Sequence, residues 1–344
     1  MRALTVTRYG PPEVLAVRES PDPVPGPGQV CIRVARAGLN FADVSARVGL
    51  YPDAPKPPMV MGYEVSGTVA ALGQGVSGPP VGARVLAMTR FGGQATHAVA
   101  AADYVLLLPE GMELDQAAAL PVNWLTAHHM LHRVANLRPG MTLLVHMAAG
   151  GVGLAAIALA RAVGGVEIFG TASASKHAVL REAGVHHPID YRTQDHVAEV
   201  KRLTRGRGVD LVLDALGGPE WARNTSVLAP VGQLICFGWA NATPGESRNL
   251  LKVVGGLATM KRWNALDLMS SNITVSGVNV GRLWGETAMV RATLDALLAL
   301  WREGKVSSRI DRVFPLAEGP AAHRRMHERK NVGKILFDCA SQER

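Results

Sequence analysis

Along the first 110 residues apolar and polar positions alternate in short runs, and turn residues cut the runs every eight to twelve positions. That period-two pattern predicts a compact, mostly β domain. "RALTVTRYG" and "EVLAVRES" read as a hairpin, followed by the proline-rich "PDPVPGPG" and the strands "QVCIRVARAGLN", "EVSGTVAALGQGV", "ARVLAMTR" and "ATHAVAAADYVLLLP". Near residue 112 the period lengthens. "MELDQAAALPVNWLTAHHMLHRVANL" reads as helix, broken or kinked at Pro121. From 142 to about 240, continuous apolar runs ("TLLVHM", "VEIFGTA", "PIDYR", "VDLVLDAL", "GQLICFG") alternate with helical ones, and "NITVSGVNV" (272–280) adds another strand. Such an alternation predicts a parallel sheet covered on both faces. In the tail a helix and two strands return to the first domain, and no internal repeat is apparent.

A chain of 344 residues, 48% of them apolar, is long enough for about two domains with substantial cores. No apolar run approaches the roughly 18 residues of a membrane span, and the N-terminus lacks a signal-peptide core. The three cysteines, Cys31, Cys236 and Cys339, form neither a CxxC pair nor an even framework, which excludes a four-cysteine zinc site and fits a reducing compartment. The expectation is a soluble, cytoplasmic protein. The formal charge of +8 comes from dispersed Lys and Arg, and the densest stretch, 323–330, reads as a solvated helix face. Aromatics are not interleaved with basic runs, so no nucleic-acid partner is expected.

The stretch 142–153 carries the chemistry. A strand runs into Ala148-Ala149-Gly150-Gly151-Val152-Gly153 and then a helix, a GxGxxG turn with Ala in the first position. Gly150 lets the backbone approach a pyrophosphate, Gly153 lets the helix pack closely on the sheet, and the helix N-terminus offers N–H groups and a positive dipole end. The strand–loop–helix context is what the motif requires. An NAD site wants Asp or Glu after the second strand, to bind the ribose hydroxyls. Here the loop reads Gly170, Thr171, Ala172, Ser173, Ala174, Ser175, Lys176, and Glu167 comes too early. Ser173 and Lys176 suit a 2′-phosphate, and Tyr191 with Arg192 suits the adenine, which favours NADPH. Ser175 reads equally well as a cap of the next helix.

"GLNFADVSARVGLYP" (38–52), "MGYEVSGTV" (61–69), "VLAMTRFGGQATHAVA" (85–100), "AAGGVG" and "NVGKIL" (331–336) together resemble the zinc-independent quinone oxidoreductase branch of the medium-chain dehydrogenase/reductase superfamily. Within it, "VPGPGQ", "GTASASKH", "HPIDY" and "KNVGK" are similar to the vesicle amine transport protein homologues. The resemblance implies an α/β fold: a GroES-like mostly-β catalytic domain (1–120 and 287–344) and a Rossmann doubly wound parallel-sheet domain (121–286), with the active site in the cleft between them. It also implies a homodimer paired through the Rossmann sheets. Zinc-dependent cousins place a cysteine ligand where Asn40 stands and a histidine where Tyr63 stands, so no metal is expected, with Asp43 and Glu64 as structural hydrogen-bonders. By the same resemblance Asn40 and Tyr51 line the cleft as donors to a developing oxyanion. Thr126, Leu216, Phe237, Gly238 and Val278, with Asn40, lie near the nicotinamide, and Lys330 and Asn331 close the cleft. No general acid is evident, and solvent is the expected proton source.

The implied function is NADPH-dependent hydride transfer to a quinone or an α,β-unsaturated carbonyl. The alternatives are an enoyl-thioester reductase on the same scaffold and a nucleotide-bound lipid- or partner-binding protein with little turnover. His128 and His132 stand four apart on a helix, with His129 beside them, but the pair lacks the Glu of HExxH and a third ligand, and His146 reads as a buried, hydrogen-bonded histidine. The apolar stretch 249–272, with Lys252, Lys261 and Arg262, admits a lid, a dimer edge or a lipid-contacting segment, and its two glycines and short length favour the first two.

Overall fold

A computed structural model describes residues 1–243, 246 and 250–341, with residues 250–253 through their backbone alone. The contacts divide the chain into two units, residues 1–125, 246 and 281–341, and residues 126–243 and 250–280. The first border lies a few residues beyond the expected one because the helix Pro121–His128 starts in the first unit: Val122 N–H donates to Glu64 (2.7 Å) and Trp124 Nε1 to Ser308 Oγ (2.8 Å).

The first unit is mostly β. The expected hairpin pairs Arg2–Val6 antiparallel with Leu15–Glu19, and Met59–Val60 completes a small sheet. The main sheet runs, edge to edge, Ile310–Pro315, Lys334–Asp338, Gln29–Leu39, Glu64–Leu72, Arg84–Met88 and Val105–Leu107, with His97–Ala101 also paired to Gln29–Leu39. The two C-terminal strands thus return to the first unit, as the tail pattern predicts. Val30, Ile32, Val34, Val65, Val85, Phe314 and Phe337 fill its core.

In the second unit six strands, β1 (Thr142–Val145), β2 (Glu167–Ala172), β3 (His187–Asp190), β4 (Val209–Asp214), β5 (Leu228–Cys236) and β6 (Thr274–Gly277), form a sheet in the order 3-2-1-4-5-6. Every pair is parallel. Leu144, Phe169, Val212 and Leu234 are fully buried, which explains why these strands read as unbroken apolar runs. The order reverses between β1 and β4, so the crevice at their C-terminal ends is the ligand position of this topology.

Residues 250–272 are more helical than a loop reading implies: Leu250–Thr259 is helical across Gly255 and Gly256, and Ala265–Ser271 is a second helix capped by Asn264. Val254, Leu257, Leu266 and Met269 are exposed on them. Asn249 and the side chain of Lys252 lie outside the described residues. Among the described residues no helix is long and apolar enough to cross a membrane.

Candidate active site

In the second unit the glycine loop joins β1 to the helix α1 (Gly151–Val163), with Gly150 at its N-cap. Gly153 packs so closely that a Cβ would lie 2.5 Å from the Ala148 carbonyl oxygen, whereas at Gly150 the nearest atom is the Met147 oxygen at 3.2 Å. Gly153 is therefore demanded by the fold itself, and Gly150 leaves open a close approach to the backbone. The first-turn N–H groups of α1 have no intrahelical acceptors, which is the geometry that takes a pyrophosphate. The cradle fits a dinucleotide.

The other expected cofactor residues of this unit stand at the same end of the sheet. Gly170, Thr171 and Ser173 close β2; Leu216 follows β4; Phe237 and Gly238 follow β5; Val278 follows β6. Ser173 is buried at the start of the 3-10 turn Ala174–Lys176, its Oγ 3.2 Å from Ser175 Oγ. Ser175 lies within that turn, and it is Lys176 that occupies the N-cap of the next helix, His177–Ala183. Tyr191 is exposed after β3 with the Arg192 guanidinium 6.0 Å from its ring centre, a flat surface for a base. Glu167 begins β2 and is taken by His187 Nε2 at 2.7 Å. Ala149 and Thr126 are buried in this unit, and Val152 sits in the first turn of α1.

Beneath the loop lies a polar cluster that the residue pattern shows only at His146. Asn224 Oδ1 accepts from His146 Nε2 (2.8 Å) and His196 Nε2 (3.1 Å), which leaves His146 Nδ1 to accept from Thr171 Oγ1 (3.1 Å). Burial drives both imidazoles down to about 4, so both are neutral at pH 7. Asp214 Oδ1 accepts from the Leu216 (2.5 Å) and Gly217 (3.2 Å) N–H groups and so shapes the loop after β4; burial pushes its carboxyl up.

In the first unit, three adjacent strands set a second cluster. Ile335 pairs with Leu39, so Lys334 comes opposite Asn40; Ala37 pairs with Val65, so Gly38 comes opposite Glu64. A Cβ on Gly38 would lie 2.4 Å from Glu64 Oε1, so glycine makes room for the carboxylate. Lys334 Nζ donates to Asn40 Oδ1 (2.7 Å) and to Glu64 Oε1; Asn40 Nδ2 donates to Glu64 Oε1 (2.9 Å). All three residues are buried. Asp43 accepts from the Asn40 N–H (2.7 Å) and the Gly62 N–H (3.1 Å), and burial lifts its carboxyl to about 7. Tyr51 packs edge-on against Tyr63, ring centres 6.2 Å apart. The Tyr63 hydroxyl is buried without a partner among the described residues, and burial raises its phenol. Asn331 Nδ2 donates to the Gly333 carbonyl (2.9 Å). Lys334, inside the "NVGKIL" stretch, carries no local signal of this role; the stretch points to its first residue, Asn331, and to the preceding Lys330.

Zinc wants sulfur and nitrogen donors. The Asn40, Tyr63 and Glu64 positions supply oxygens and an amide, and Glu64 is already held by an ammonium. His128 and His132 have ring centres 4.6 Å apart, with burial pulling His128 down to about 4. No group of three or more His, Cys, Asp or Glu arranged to hold a metal is found among the described residues.

Residues 26–110 match the family described as alcohol dehydrogenase GroES-like domain, and residues 183–336 match that described as zinc-binding dehydrogenase. The chain is 44% identical over 339 residues to the synaptic vesicle membrane protein VAT-1 homolog of Rattus norvegicus, covering 98% of this chain and 84% of that protein. It is 35% identical to the quinone oxidoreductase of Pseudomonas aeruginosa, covering 96% and 97%. Among solved structures it is similar to Escherichia coli quinone oxidoreductase complexed with NADPH (TM-score 0.86, 27% identity, 98% and 100% covered) and to the CurK enoyl reductase (TM-score 0.84, 29% identity, 98% and 98% covered).

Proposed function

The chain belongs to the medium-chain dehydrogenase/reductase superfamily, among the VAT-1 homologues and quinone oxidoreductases, and on that premise we propose that this oxidoreductase is an NADPH-dependent, zinc-free reductase of quinones or α,β-unsaturated carbonyls. The observation that carries the reading is the glycine loop, with Gly153 pressed on Ala148, at the reversal point of a 3-2-1-4-5-6 parallel sheet.

Bound NADPH supplies a hydride. The chain's own residues bind and orient. The α1 N-terminus with Ala149, Gly150, Gly151 and Val152 takes the pyrophosphate. Ser173 and Lys176 take the 2′-phosphate beside Gly170 and Thr171, and Tyr191 flanks the adenine. Thr126, Leu216, Phe237, Gly238 and Val278 of the second unit border the nicotinamide, and the family resemblance assigns Asn40 and Asn331 of the first unit to the same ring. Charge grows on the carbonyl oxygen of the acceptor as hydride arrives at its conjugated carbon, and N–H and O–H donors aimed at that oxygen lower the barrier. Asn40 and Tyr51 fill this role, and solvent delivers the proton. The site does without zinc because its donor set does not fit the ion.

The likeness to the CurK enoyl reductase favours a second acceptor class, enoyl thioesters. β6 is an edge strand of the sheet, the element through which a homodimer would pair, and the three free cysteines suit the cytoplasm. The deciding experiment follows nicotinamide absorbance with NADPH, and in parallel NADH, against a polycyclic quinone, a simple enone and an enoyl thioester. Oxidation of NADPH by one acceptor class establishes the reductase and names its chemistry. NADPH bound but consumed by none of them overturns it in favour of a nucleotide-bound binding protein.

A further inference from the structure

We propose that Lys334 is a positioning residue that acts through Asn40: its ammonium fixes the Asn40 amide with the N–H edge toward substrate and polarises that N–H. This rests on the reductase reading above.

Burying an ammonium and a carboxylate is costly, and apolar replacements of such a pair are often at least as stable, so stability alone does not account for Lys334 and Glu64. The hydrogen bonds show what the pair does. Glu64 is anchored at both oxygens, Oε1 by Lys334 and Asn40, Oε2 by the Val122 N–H at 2.7 Å. The Lys334 Nζ contact at 2.7 Å permits only one amide orientation at Asn40, because the reversed amide would set its NH2 against the ammonium. Of the two Nδ2 hydrogens one goes to Glu64, and the second has no acceptor among the described residues. That second N–H is the donor left for an acceptor's carbonyl oxygen. A cation bonded to the amide oxygen strengthens the opposite N–H, as hydrogen bonds in a chain polarise one another. A fixed positive charge therefore reaches the reacting oxygen through one amide.

The test is a double-variant cycle on the intact protein, with the acceptor found above and NADPH affinity measured separately by fluorescence titration. Asn40→Ala and Lys334→Met are each expected to lower kcat roughly 10²-fold, and Lys334→Met to do so with NADPH affinity little changed. The double variant should fall no further than Asn40→Ala alone. Multiplied losses in the double variant, or kcat of Lys334→Met within about threefold of the parent, overturn the proposal. Should Lys334→Met fail to fold around an uncompensated Glu64, the pair Lys334→Met with Glu64→Gln removes both charges together. It is expected to bind NADPH with the same kcat loss, and undiminished kcat in it overturns the proposal. A parent protein that oxidises no NADPH overturns the reductase reading and this inference with it; an active parent with multiplied losses overturns this inference alone.

Discussion

Gly153 and Ala148 touch backbone to backbone: a methyl on Gly153 would lie 2.5 Å from the Ala148 carbonyl oxygen and 2.7 Å from its Cα. Neither side is a flexible side chain, so α1 must shift to admit it. Gly153→Ala is expected to cost about 1–3 kcal/mol of stability, as overpacking does, and to weaken NADPH along with it. Gly150→Ala meets only the Met147 oxygen at 3.2 Å. It should leave the melting temperature nearly unchanged while weakening NADPH roughly tenfold, ~1.4 kcal/mol. Melting curves and NADPH titrations on both variants check this. A Gly150→Ala protein with parental affinity would show that no phosphate approaches there.

Lys176 follows Ser173 by one 3-10 turn, its N–H donating to the Ser173 carbonyl at 2.9 Å. If its ammonium reads the 2′-phosphate, Lys176→Ala loses a charge-assisted bond of about 1.5–3 kcal/mol with NADPH and nothing comparable with NADH. Isothermal titration with both cofactors decides it. Equal losses would remove Lys176 from the specificity site.

The glycine turn and the parallel sheet that carries it were legible in the sequence because their signals are local. One turn holds the glycines, and the change from period two to unbroken apolar runs marks the parallel strands. Lys334 was not legible. It lies 294 positions from Asn40, and only the antiparallel register Ile335 to Leu39 brings them together. His196 and Asn224 were missed for the same reason: each comes from a different crossover helix, α2 (His196–Leu203) and α3 (Glu220–Thr225), and they meet only once the sheet is built. The helices at 250–272 were underestimated because two glycines outweighed the apolar spacing around them.

The oxygen-rich donor set around Asn40 and the ammonium on Glu64 give zinc no purchase. Prolonged dialysis against a chelator is expected to leave kcat unchanged and elemental analysis to find far less than one zinc per chain. Stoichiometric zinc surviving a chelator rinse, or activity restored only by zinc, would overturn the metal-free reading.

Stability should fall on acidification through the histidine pair. His146 sits at about 4 in the fold, below the ordinary 6.5, because burial disfavours its charged form. The unfolded chain takes up that proton first as pH falls. The contribution of His146 is therefore complete above about pH 6.5 and is lost as pH drops toward 4, on the order of 3 kcal/mol in all. His196, which shares Asn224 Oδ1, acts in the same sense. Asp43 acts in the opposite sense: its carboxyl is raised to about 7, so its contribution is full below 3.8 and lost as pH rises through 7. A comparison with His146→Gln isolates the histidine. The variant should melt well below the parent at pH 7.5, with the gap narrowing as pH falls to 4.5, because the parent alone loses this contribution. A gap of the same size at both pH values would mean that His146 is not held neutral by its burial under the glycine loop.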